Sequence, residues 1–554
     1  MLAVLALACS WWLYCQWRGD SLRCAWAAAL LPAMAAVLLG EIAEECLAAP
    51  EFEWNSARLA VAFALKQGHI LYPGPGAGPV LGHIYGPVPA YVYQPAAWFS
   101  TPEAALTCGA LISFVLIFAA AALAHLTMTA PGASRLRAMW GLSLFCGLAL
   151  LNDALRSCWF SVHVDAAMIA FSVAACACIG SPARRQSAGW VAGSAVFAAL
   201  AVWSKQTAAP LLVALPLYLL LIGHRRLALR HLLATLGIAA ALGALFAARF
   251  GFDGLWYNLF TIPSHHPWLG SLTDPTQGHI TGGGFASRLS VLWQAATGLA
   301  LRVSLPVALL LAVVTLEYFC ARRGHGGVAP SSVHPGLRDW LAARPWTLLV
   351  FTAAFCSCTA LLGRVKVGGY VNAYGQVVCL VTLASTVALA NLAAELARLT
   401  TFQLNAGSLR VMAGLCIAIT VTAGFQVPGG IHRQWLTRDN SLSHAMAYVR
   451  QHPGELYFPW NPLIPLMAEG RAYHLGYGVY DRGLAGAPLS EQMFHAYLPE
   501  KLDGVAYRLG SHRLLLKDRF PAWRRVELPP ELPGWLVFRR GNAPATVSSI
   551  PAAR

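Results

Sequence analysis

Apolar runs long enough to cross a membrane recur along the first three quarters of this chain, and no other feature restricts its fold as severely. A backbone in hydrocarbon must satisfy its own hydrogen bonds, so a spanning segment is a helix of about 20 residues or a strand in a closed barrel. The runs here are continuous, not alternating, which selects helices. They lie near 1–17, 24–40, 104–127, 138–152, 164–180, 189–204, 207–223, 232–249, 288–316, 346–363, 375–395 and 409–426. The expected fold class is therefore an all-α polytopic membrane bundle of about twelve transmembrane helices. With 57% hydrophobic and 11% charged residues, the chain could not clothe a soluble surface. Leu2 to Trp17 lacks a basic leading segment and reads as a retained first helix, not a cleaved signal.

The net charge of +15 does not make this a nucleic-acid binder, because the basic residues are scattered through short loops and do not line one aromatic-flanked stripe. They report topology. Arg18 and Arg23, Arg135 and Arg137, Arg184 and Arg185, Arg225 and Arg226, and Arg322 and Arg323 fall in alternate loops, which places those loops in the cytoplasm. The outward segments are then 41–103, 153–163, the link at Lys205, 250–287, 364–374 and the tail after Gln426. Residues 430–554 have ordinary polarity, many prolines and glycines, and alternating stretches, as expected of a small extracytoplasmic α/β domain following a membrane domain over 1–429. The fourteen cysteines lie almost all in apolar runs, without paired metal spacing, and read as small buried apolar residues.

Acidic residues are scarce, 24 in all, yet five stand together at the start of the first outward loop. Glu41, Glu44 and Glu45 share one helix face by their i, i+3, i+4 spacing, which a solvated helix end satisfies equally well. Glu51 and Glu53 precede an amphipathic stretch, Ser56 to Gln67, that carries Arg58 and suits a helix lying in the interface. Gly68-His69-Ile70-Leu71-Tyr72-Pro73 then enters a Gly/Pro-rich loop that closes with His83-Ile84-Tyr85-Gly86-Pro87. Further outward fragments are His163-Val164-Asp165, Lys205-Gln206, Gly368-Gly369-Tyr370-Val371-Asn372, and Phe458-Pro459-Trp460-Asn461-Pro462 in the tail.

In their order and shared side, these fragments resemble the GT-C class of integral-membrane glycosyltransferases, in particular the protein mannosyltransferase and aminoarabinose transferase superfamily. The resemblance implies an inverting transfer of a sugar from a polyprenyl-phosphate carrier to a glycan, lipid or protein acceptor, at the periplasmic face of a bacterial inner membrane. Many members carry Asp-Glu or a lone Asp at the acidic site of the first loop. Here the matching positions are Glu51 and Glu53, with Glu53 preferred because it directly precedes the interfacial helix.

That chemistry requires a carboxylate base within reach of the acceptor hydroxyl, and cations or a divalent metal ion such as Mg or Mn to receive the departing lipid phosphate. The expected roles are Glu53 as base with Glu51 as second choice, and Asp165 as partner acid or metal ligand, though Asp165 equally suits a helix N-terminus. Lys205, Arg364 and Lys366 are expected as phosphate receivers, although snorkelling to lipid headgroups also accounts for cations at helix ends. Arg58, Tyr85, His163 and Asn372 complete the substrate-binding set, and His265 and His266 are further metal-ligand candidates. A carrier or flippase for amphiphilic solutes is the alternative reading. Against it, the polar residues gather at the outer helix ends and not near mid-membrane, and no repeat is evident.

Overall fold

The computed structural model describes residues 34–35, 37–48, 53–129, 135–273, 279–280, 284–323, 336–398, 440–508, 514–526 and 530–540. The expected runs 1–17 and 409–426, and most of 24–40, lie outside these residues. Among the described residues, five helices are long and apolar enough to cross a membrane: Pro102–Met128, Arg225–Phe250, Phe285–Tyr318, Trp346–Val365 and Val371–Leu392. A sixth span arises if Ala138–Leu150 and Asp153–Trp159, bent by 104°, count as one. The bend falls where the Asn152 side chain accepts the Ala154 amide and starts a new helix. Val164–Ile179, Ala188–Ser204 and Gln206–Leu221 are apolar but shorter. The structure is thus a multi-span helical bundle, with five or six full-length spans among the described residues beside the expected twelve, several of which lie outside those residues.

The short helix Val164–Ile179 is the centre of the bundle. All but one of its residues are buried, and it packs against Pro102–Met128, Ala188–Ser204 and Gly375–Arg398. Six alanines, at 166, 167, 170, 174, 175 and 177, let those neighbours approach closely. A helix enclosed on all sides holds its first turn in a fixed place, and that turn carries Asp165.

The first outward loop is built on the helix Glu53–Lys66, followed by an extended Gly/Pro segment and the short helices Val88–Val92 and Gln94–Trp98. The segment has little regular structure of its own, so its polar backbone is satisfied from outside. The C-terminal tail supplies many of those partners. Leu475 N donates to Val80 O at 2.8 Å, Val80 N donates to His474 Nδ1 at 3.0 Å, and the Arg482 guanidinium donates to Pro73 O at 2.9 Å. Apolar side chains of the loop, such as Leu59, Phe63 and Leu71, share one core with Leu442, Met446, Leu463 and Trp535 of the tail.

The tail carries a four-stranded sheet. Numbering strands along the chain, two antiparallel strands of two residues each in segment 250–287 are β1 (Trp268–Leu269) and β2 (His279–Ile280), and the tail sheet comprises β3 (Leu456–Tyr457), β4 (Gly504–Arg508), β5 (Trp523–Arg525) and β6 (Trp535–Arg540). Their order is β3-β4-β6-β5, parallel only between β3 and β4, with Val505 opposite Phe538 and Arg524 opposite Arg539. The strands β4 and β6 are mostly buried, with Tyr507, Trp535 and Val537 fully enclosed.

One loop contact is close enough to test the fit of loop and bundle. A Cβ on Gly86 would lie 1.7 Å from the Trp203 carbonyl oxygen, and backbone cannot yield as a side-chain tip would. Gly86→Ala is expected to destabilise the protein by at least about 1–3 kcal/mol. Gly237→Ala, at a helical position with nothing within 4 Å, should melt like the unaltered chain. Thermal melting of both variants in detergent checks this.

Candidate active site

Asp165 organises the outer end of the bundle. It stands in the first turn of Val164–Ile179, is fully buried, and receives a donor on each oxygen. The Lys205 ammonium donates to Oδ1 at 2.7 Å, and the Asn372 amide donates to Oδ2 at 2.7 Å. His163 Nδ1 lies 2.8 Å from the same Oδ2. The Asp165 backbone N–H donates to the same Nδ1 at 3.1 Å, so the His163 ring also caps the first turn of this helix. Three outward segments that are far apart in sequence therefore meet on one side chain. Lys205 is positioned because the helix Ala188–Ser204 ends one residue before it, and Asn372 because the turn Val371–Tyr374 follows a pair of glycines.

The first loop closes over this group. Asn55 Oδ1 accepts the Val162 amide at 3.0 Å and Arg58 donates to Val162 O at 3.1 Å, which docks the helix opened by Glu53 beside the strand leading to Asp165. Trp54 stands edge-on to Trp460 and Tyr477 of the tail, with ring centroids 5.1 and 4.8 Å apart. The Lys205 ammonium lies 5.4 Å from the Tyr85 ring centroid. Burial alone would lower the Lys205 pKa, and Asp165 outweighs it, so the ammonium stays charged. Glu51 and the side chain of Glu53 lie outside the described residues. Of the remaining acids in that loop, Glu41 and Glu45 are paired with Arg156 at 3.0 and 2.8 Å, a clip between the first and second outward segments.

The other expected residues sit apart from Asp165. Arg364 donates to Gly369 O at 3.0 Å, and Lys366 donates to Pro263 O at 2.6 Å. The adjacent histidines diverge: His265 is exposed and within 2.7 Å of Thr261 O, whereas His266 is buried with Nε2 3.7 Å from Asp481 Oδ1 in the tail. The metal-ligand candidates are thus separated, because the helix ends at His265 and the backbone of His266 leaves it with ψ 128. The donors that do gather are Cys158, His163 and Asp165, whose ligand atoms lie within 4.8 Å of one another. That spacing could hold a metal ion. As folded, however, both Asp165 oxygens are engaged, and the Cys158 thiol is 3.3 Å from Ala154 O.

Several residues that the sequence did not single out belong to this region. Tyr93 fixes the His163 backbone on both sides, its hydroxyl donating to His163 O at 2.7 Å and accepting the His163 amide at 3.1 Å. Arg302 makes a two-pronged contact with Asp153, at 2.9 and 2.7 Å, and lies 5.4 Å from the Tyr374 ring centroid. Asp481 is 2% exposed, and neither of its oxygens has a hydrogen-bond partner. Burial raises its pKa well above the usual carboxylate range and lowers that of His266 to about 4, so this contact joins two neutral groups and is no ion pair. Proximity to two other fragments was the missing signal for each of these, since Tyr-x-Pro and Asp-Arg pairs are common in any sequence.

No protein-family profile and no curated protein matches the sequence. Solved structures do match its fold. The crystal structure of ArnT from Cupriavidus metallidurans in the apo state superposes with a TM-score of 0.53 at 14% identity, covering 91% of this chain and 96% of that one. ArnT from the same organism bound to undecaprenyl phosphate gives a TM-score of 0.50 at 15% identity, covering 91% and 97%. ArnT, an aminoarabinose transferase, is a GT-C glycosyltransferase. The chain therefore has the GT-C fold, as its outward fragments implied, and the likeness at this identity is one of fold.

Two consequences can be measured. Removing the Asp165 charge leaves Lys205 buried without its counter-charge, so Asp165→Asn should destabilise by about 3–5 kcal/mol, and the double variant Asp165→Asn with Lys205→Met should be less destabilised than the two single losses summed. Melting in detergent across the four chains reads this coupling. Burial lowers the pKa of His83, His163, His266 and His474 to about 4 each, from the usual 6.5 of an imidazole in water. Such histidines bind protons more readily when unfolded, so their contribution is complete above pH about 6.5 and is lost as the pH falls toward 4. Asp481, raised from 3.8, works in the opposite sense and weakens the fold as the pH rises. The melting temperature should accordingly fall on acidification between those values, with a shallower fall in His266→Gln.

Proposed function

We propose that this chain transfers a glycosyl unit from a polyprenyl-phosphate carrier to an acceptor at the extracytoplasmic face of a bacterial inner membrane. The observation that carries the reading is the convergence of Asp165, His163, Lys205 and Asn372, with Arg58 and Tyr85 beside them, at the outer end of a GT-C bundle and beneath a loop clamped by the tail. The carrier-bound ArnT structure supports a lipid phosphate as the donor's anchor.

The reaction joins the acceptor oxygen to the anomeric carbon on one face while the bond to the phosphate oxygen breaks on the other. The phosphate leaves with the electron pair, and the acceptor proton passes to a carboxylate. Glu53 is the proposed base, with Glu51 as the alternative, and inversion at the anomeric carbon follows from the class resemblance. Lys205, held in place by Asp165, faces the developing phosphate charge, and Arg364 and Lys366 flank the carrier's path between the loop 364–374 and the segment 257–265. Preorganised cations in a site shielded from water stabilise that charge more strongly than the same groups would in solution. The acceptor is a glycan, lipid or protein presented under the tail, whose Trp460 and Tyr477 bear on the Glu53 helix.

A carrier would place its polar residues in mid-span on broken helices. The cluster found here lies instead at helix ends under a cap, which favours the transferase.

Purified chain supplied with labelled polyprenyl-phosphate sugars and a membrane-derived acceptor fraction tests this directly. Glu53→Gln is expected to lower transfer by about 10²–10⁴-fold. If Glu51→Gln carries that loss instead, Glu51 is the base; undiminished transfer in both variants removes the carboxylate mechanism.

A further inference from the structure

We infer that Lys205 is a built-in cation that takes the place of a divalent metal ion at Asp165, so that the site is metal-free by construction and becomes a metal site when that ammonium is removed. The inference deepens the proposed function by naming what neutralises Asp165 and rests on that reading only for the role of the site, since its principal test reads bound metal and not turnover.

The argument begins with the donor set. Cys158 Sγ, a ring nitrogen of His163 and an Asp165 oxygen lie within 4.8 Å of one another, all three residues are buried, and their chemistry, one thiol, one imidazole and one carboxylate, is that of a transition-metal site. Three protein donors with a fourth position left to water is an ordinary arrangement for zinc. Yet Asp165 already has a partner on each oxygen: Lys205 donates to Oδ1 at 2.7 Å, Asn372 donates to Oδ2 at 2.7 Å, and His163 Nδ1 lies 2.8 Å from Oδ2. The ammonium thus already supplies, at hydrogen-bond length, the positive charge that a metal would bring to the carboxylate.

Charge leads to the same conclusion. Asp165 and Lys205 neutralise each other, and the Arg58 guanidinium, bonded to Val162 O, adds a further positive charge close by. Placing a doubly charged ion beside these two cations, in a buried site whose described carboxylate is already paired, is strongly opposed at low dielectric. With the ammonium gone, the same arithmetic reverses. Asp165 is left without its ammonium partner, beside an imidazole and a thiol whose proton would leave to solvent as its sulfur binds, and a divalent ion would supply the missing positive charge.

The test compares the full-length chain purified in detergent without added metal with Lys205→Ala and Lys205→Arg, each incubated with Co2+ and then desalted. Elemental analysis and the visible spectrum are read together, because cobalt bound through a thiolate gives both d–d bands and a sulfur charge-transfer band. The unaltered chain and Lys205→Arg should retain no stoichiometric metal. Lys205→Ala should retain about one ion per chain, and adding Cys158→Ser should abolish the charge-transfer band. Stoichiometric metal in the unaltered chain overturns the inference, as does a folded Lys205→Ala chain that binds none. Should Lys205→Ala fail to fold, the unaltered chain still decides the matter: transfer unaffected by prolonged chelation supports the inference, and transfer lost to chelator and restored by Mg2+ or Mn2+ overturns it. Failure of the glycosyltransferase reading would show as absent transfer with the metal results unchanged.

Discussion

A carboxylate and an ammonium, both buried and 2.7 Å apart, hold the outer end of this molecule together. Either charge alone would cost several kcal/mol in an apolar surrounding, so Asp165 and Lys205 are stable only where their helices end side by side. Lys205 takes one oxygen of the carboxylate, and Asn372 and His163 crowd against the other. The contact therefore fixes more than a distance. It sets the start of Val164–Ile179, the end of Ala188–Ser204 and the turn Val371–Tyr374 relative to one another, and it orients an imidazole whose backbone Tyr93 secures from the other side.

The first outward loop and the tail depend on each other in a second way. A long Gly/Pro-rich segment loses much conformational entropy on ordering and forms few hydrogen bonds within itself. Here it is ordered by partners from elsewhere: the helix Gly476–Leu484 packs Gly478 against Gly82, places Tyr477 against Gly368 and sends Arg482 to the carbonyls of Pro73 and Gly74. A glycine at 82 with φ +65 and a glycine at 478 permit that close approach, since a Cβ on Gly478 would fall 2.6 Å from the Gly82 nitrogen. In this arrangement the tail is a cap whose removal would free the loop that carries the proposed base. Asp481, neutral and without a partner, lies on the inner side of that cap opposite His266.

The bundle and part of the site were legible in the sequence. Apolar runs mark helices because the 3.6-residue period and the length of a span are local properties, which is why runs such as 104–127 and 346–363 coincide with Pro102–Met128 and Trp346–Val365. His163, Asp165, Lys205 and Asn372 could be selected because polar groups at the outer ends of apolar helices are costly and hence few. The count of spans was less secure: 138–152 reads as one continuous run, but Asn152 caps a new helix and bends the chain by 104°.

What the sequence determined on its own is the solvent each segment meets, and with it the helical class, the outward side and the short roster of polar residues there. Only the tertiary structure decided who pairs with whom. It turned Glu41 and Glu45 into a clip on Arg156, separated His265 from His266, brought Asp481 across from the tail, and set Lys205 against Asp165. The physical reason is one of range: burial and helical periodicity act over neighbouring residues, whereas a charge or a lone pair is satisfied by whichever group the folded chain delivers within about 3 Å, however distant it is in sequence.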